Sequence, residues 1–190
     1  MTSSRSLRSE HPTLSVVYVP DTGHVVGALG VTGELAPDEV EPLVGPALPL
    51  RVSLGDEGTA VLSLRARQLA ALAADDEPGV FADPMGFGVE QIENADQTVS
   101  PRPALVRLAA WDDALTLDDK GLVVQVRTAD NVNVTPVVAL VSDGAETLVL
   151  SASIAAGDTK VTLPVTVDNG PHGVLVLVAG WAGRLESVTK

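Results

Sequence analysis

The sequence predicts a mainly β protein: an antiparallel β-sandwich, jelly-roll or immunoglobulin-like, with one short helix and long irregular loops. Three observations carry that prediction. The last third of the chain reads as short Val/Leu/Thr runs separated at similar intervals by Asp-Gly, Gly-Asp and Asp-Asn-Gly, the turn chemistry of hairpins. Two of those runs, 136–141 and 174–179, are apolar on both faces and so belong at the centre of a sheet covered on both sides. Covered central strands imply a second layer, which a sandwich supplies.

Residues 14–19 alternate, with Leu14, Val16 and Tyr18 on one face, and the Pro20 to Gly23 turn leads into the apolar run 25–31. Residues 34–49 hold four prolines and four acids, which reads as a loop over the surface. A second hairpin pairs 50–54 with 59–64 across a Gly55–Gly58 turn. The window 66–74 is rich in Ala and Leu and predicts the one short helix.

Residues 75–103 show no period, although 89–93 has the composition of a strand. Phe81, Met85 and Phe87 fall within this segment and are expected to tuck under it as a small apolar plug, the first candidate interaction residues. Farther on, 104–111, 122–126, 136–141, 147–154, 160–167 and 173–179 read as strands. In 160–167 the residues Val161, Leu163, Val165 and Val167 alternate with polar ones, and Pro164 mid-run assigns the strand to an edge. The expected organisation is a flexible arm over 1–12, a β-unit over 13–74, a linker or long loop over 75–103, and a C-terminal sandwich over 104–186. A single domain over all of them is the alternative.

Composition narrows the function. There is no Cys, which removes disulfides, thiolate metal sites and a thiol nucleophile. Twenty-five acids against twelve Lys and Arg give a net charge of −13, a field that repels nucleic acid and anionic membranes. The N-terminal residues lack the apolar centre of a secretory signal, and no uncharged apolar stretch is long enough to span a bilayer. A soluble, cytoplasmic protein is expected.

Asp21-Thr22-Gly23 matches the tripeptide that presents the catalytic carboxylate of aspartic proteases. Those enzymes share one proton between two carboxylates, and the chain holds no second Asp-Thr-Gly or Asp-Ser-Gly. A hairpin turn explains the tripeptide without chemistry. Asp-rich tips at 56–57, 75–77, 118–119, 143 and 168 lack the spacing of a calcium loop. His11, His24 and His172 each neighbour Pro or Gly, the setting of surface turns, so no metal site and no cofactor are expected. Trp111 and Trp181 are the candidate ligand-binding residues, because carbohydrate-binding sandwiches stack sugars on exposed aromatics; capping the core ends is the competing role.

The expectation is a non-enzymatic structural or adaptor subunit of a larger assembly, with other protein subunits or its own copies as partners. A phage-tail-like or capsid-like particle is one such setting. The alternatives are a small binding module for carbohydrate or a basic protein, and a hydrolase built on the single Asp-Thr-Gly.

Overall fold

In the computed structural model residues 13–31, 39–74, 77–91, 103–143 and 146–190 are described. The arm at 1–12, with His11, lies outside them. So do 32–38, 75–76, 92–102 and 144–145, which take in part of the predicted loop and part of the aperiodic segment.

The first hairpin forms as the alternation predicts. β1 (Thr13–Tyr18) pairs antiparallel with β2 (Val25–Val31), and the turn closes where the Thr22 and Gly23 amides donate to the Val19 carbonyl. The Pro-rich stretch is less irregular than its composition suggests: α1 (Val40–Val44) is followed by β3 (Ala47–Ser53), which accommodates Pro49. A single 3-10 turn at Gly55–Glu57 returns the chain into β4 (Thr59–Arg65), completing the second predicted hairpin.

The predicted helix at 66–74 is not there. Only Ala66–Gln68 turns, as one 3-10 unit, and the rest is β5 (Ala70–Ala74), paired antiparallel with β1. Helix propensity separates alanine from its rivals by only a few tenths of a kcal/mol per residue, about 0.7 at most for ordinary residues. Docking on β1 seats Leu72 opposite Val16 and packs Leu72 and Ala74 on the core formed by Leu14, Val16 and Val25, and that tertiary gain outweighs the local preference.

The aperiodic segment holds a one-turn α2 (Gly79–Ala82), a 3-10 turn at Pro84–Gly86, and β6 (Phe87–Gln91), the strand whose composition shows at 89–93. β6 pairs with β7 (Pro103–Arg107), which ends well before Trp111. The remainder is β8 (Thr116–Asp118), β9 (Gly121–Gln125), β10 (Thr135–Asp143), β11 (Glu146–Ile154), β12 (Lys160–Leu163), β13 (Pro171–Val178) and β14 (Arg184–Thr189).

The fold is thus mainly β, in several antiparallel sheets. β10 and β13 are central, as their two-faced apolar character demands, in the order β11-β10-β13-β14. One face, with Val137, Ala139, Val141, Val174 and Val176, packs on Leu122 and Val124 of β9 and Leu163 of β12. The opposite face, with Val138, Leu140, Leu175 and Leu177, packs on Leu62 and Leu64 of β4 and on Val17, Val19 and Val26. Each such side chain contributes about 1.5–3 kcal/mol when fully buried. Sequence-distant halves therefore complete one another's core.

β12 is an edge strand, in the order β12-β9-β8, and Leu163 and Val167 are buried while Thr162, Pro164 and Thr166 are exposed. The ladder stops at Leu163 rather than 167, because Pro164 has no N–H to continue it. Among the described residues no helix is long and apolar enough to cross a membrane.

Candidate functional site

The structure gathers several of the singled-out residues around one irregular segment, 180–184. The Ala182 amide donates to the Ala109 carbonyl at 2.8 Å, and the Ala109 amide donates to Gly180 at 3.2 Å. The Gly183 amide donates to the Met85 carbonyl at 2.8 Å. The Trp111 indole N–H donates to the Ala182 carbonyl at 2.6 Å. Trp111 itself is only 6% exposed, with the Arg184 guanidinium over its ring at 4.8 Å. Its ring is buried within the core cluster. Trp181 is half-buried against the same core.

His24 is part of this seam and not a surface residue: it is fully buried. Its Nε2 lies 2.7 Å from the Trp181 carbonyl and its Nδ1 lies 3.0 Å from Thr22 Oγ1. A carbonyl only accepts, so Nε2 carries the proton and Nδ1 accepts from the threonine hydroxyl. His172 is also buried, against the surface-turn expectation, with Nδ1 at 2.7 Å from the Ser142 carbonyl and Nε2 at 2.9 Å from the Asp168 carbonyl. Both rings tie strands to turns, a role that nothing in their Pro- and Gly-flanked sequence signals.

Burial holds the His24 imidazole below its ordinary value of 6.5, and the bonds to Trp181 and Thr22 only partly oppose this. The unfolded chain therefore takes up this proton first as acid is added. The stability His24 confers is complete above about pH 6.5 and declines as pH falls from there through the lower folded value. Denaturant midpoints at pH 7.5, 6.5 and 5.5 should fall more steeply for the wild type than for His24→Gln. Parallel slopes would show that His24 does not drive the loss.

The three candidate interaction residues do not form one plug. Phe87 is buried beside Val80, under the Arg107 guanidinium at 4.8 Å, and Arg107 pairs with Asp83 at 2.7 Å. Met85 is half-buried against the face of Leu175 and Leu177. Phe81 stands outside at 51% exposure, on α2, whose Val80 is fully buried. In a one-turn helix adjacent positions point apart, so anchoring Val80 turns Phe81 outward.

Asp21 is exposed at the hairpin turn and borders a groove that runs past Arg67 and Gln68. The wider part, about 630 Å³, lies between Arg65, Arg67 and Gln68 on one wall and Glu146, Thr147 and Val149 of β11 on the other. In the part of the groove that Asp21 borders, no other lining residue is a carboxylate; Glu146 lines the wider part. The groove holds polar and charged side chains of both signs, which suits a polar surface contact. Sequence reading missed it because the 3-10 turn at Ala66–Gln68 and β11 lie far apart in the chain.

Among the described residues no three His, Asp or Glu side chains gather as a metal cluster. Of the acidic tips, Asp119 pairs instead with Lys190 at 3.2 Å. No protein-family model, curated protein or solved structure matches this chain.

Proposed function

We propose that this protein is a non-enzymatic structural or adaptor subunit of a larger protein assembly, its core a β-sandwich of the jelly-roll or immunoglobulin-like kind. The sandwich reading is supported by the apolar face that the β11-β10-β13-β14 sheet shares with the β12-β9-β8 sheet. The assembly reading rests on one observation above the rest: Phe81 projects from a turn whose neighbour Val80 is fully buried and whose Phe87 neighbour closes the adjacent core. A half-exposed phenylalanine on a fixed base has little conformational freedom left to lose, which is the character of an interface anchor.

Phe81→Ala tests this. In extracts of the cells that make it, the tagged wild-type chain should elute well above monomer size. The variant should elute at a smaller size with its melting temperature unchanged. Elution of both as monomers would remove the assembly reading.

A further inference from the structure

We infer that β11 is the seam of a symmetric dimer, its free edge pairing antiparallel with β11 of a second copy about a two-fold axis at Leu150. The inference deepens the assembly reading and rests on it. β11 ends its sheet: it is bonded to β10 over an unbroken register from Thr135↔Ile154 to Asp143↔Glu146, and no strand among the described residues pairs with its other edge.

Edges that must stay free are usually blunted by shortness, proline, lysine or a bulge. β12 shows these devices, with four residues, Lys160 at its start and Pro164 at its end. β11 shows none. It runs nine residues without a bulge and carries only one charge, Glu146, at its end, in a chain of net charge −13.

The core is also open along this margin. Leu148, Leu150 and Ala152 of β11 and Val161 of β12 are half-buried members of a cluster whose β10 and β13 residues are fully buried. On the other face Val149 is 44% exposed. A strand added at this edge would continue the sheet and cover both rows.

The sequence of β11 points to its own copy as that strand. A two-fold axis normal to the sheet keeps each residue on its face, so partners differ by an even number of positions. Centred on Leu150, Leu148 meets Ala152, Val149 meets Ser151 and Thr147 meets Ser153, while Glu146 meets Ile154. On the core side Leu148 faces Ala152 and Leu150 its own copy, with Glu146 against Ile154 at each end; on the other side Thr147, Ser151 and Ser153 flank Val149, and no like charges oppose.

Because the chain has no cysteine, Leu150→Cys introduces a single thiol. At the axis the two Cα atoms would lie about 4.5–5.5 Å apart, within disulfide range. Mild oxidation should give a covalent dimer, whereas Val61→Cys, on the exposed face of β4, should not crosslink. Light scattering of the purified wild type should give twice the monomer mass. Ser151→Lys with Ser153→Lys, both exposed, should return it to the monomer while leaving its circular dichroism unchanged. An oligomer that ignores the lysines and does not crosslink through Leu150→Cys overturns the seam and leaves the assembly reading standing. A purified monomer also overturns the seam, and the cell-extract elution then decides the assembly reading separately.

Discussion

Gly121→Ala should destabilise the protein by about 2–5 kcal/mol, from the sum of positive-φ strain and overpacking against rigid backbone. Gly121 begins β9 with φ 126°, closing the turn from Asp118, where the Lys120 amide donates to the Asp118 carboxylate at 2.7 Å. A methyl there would collide with the Leu163 carbonyl and come within 2.9 Å of Pro164 Cα. Neither obstacle is the end of a flexible side chain. Relief requires parting β9 from β12, and with it the Leu122–Leu163 pair that closes one face of the core. Gly157→Ala is the internal standard: φ is 86°, but nothing lies within 4 Å of the added methyl. Its cost should be the conformational strain alone, about 1–2 kcal/mol. Denaturant midpoints of the two variants measure the difference, and equal losses would show that the close approach to Leu163 is not rigid.

Leu177→Ala should cost about 2–5 kcal/mol, the range for a buried leucine whose cavity cannot fully collapse. The informative part is where the loss is felt. Leu177 is fully buried between β13 and a layer made of Val17, Val19, Leu62 and Leu64. Residues from both ends of the chain line that cavity, so amide exchange should accelerate together in β1, β4 and β10. Unchanged protection in β1 alongside loss in β10 would mean that 13–74 holds its structure without the C-terminal sheet.

Hairpins were legible because their signals are local. Alternation in 14–19 and 59–64, with glycine-bearing turns between runs, needs only neighbours to be read. The centrality of β10 and β13 was legible because unbroken apolar runs admit few positions in a sheet. Residues 66–74 mislead because alanine has no face: a run of small apolar residues shows neither a period of 2 nor one of 3.6. The pairing partner that decides the matter, β1, lies some fifty residues upstream.

Site residues were harder still. Nothing beside His24 in the sequence indicates that Trp181 supplies its carbonyl, and nothing beside Phe81 distinguishes its exposure from the burial of Phe87. Two phenylalanines six residues apart separate into inside and outside only once a short helix and the strand after it fix which side is docked.

The shared face of β13 has a consequence for how the chain is made. During synthesis β1, β2 and β4 emerge first, and the leucines that cover their apolar side, Leu175 and Leu177, emerge long afterwards. The His24 ring likewise waits for the Trp181 carbonyl. Until β13 follows, the amino-terminal portion lacks the leucines that cover Val17, Leu62 and Leu64, and that uncovered apolar side is open to aggregation.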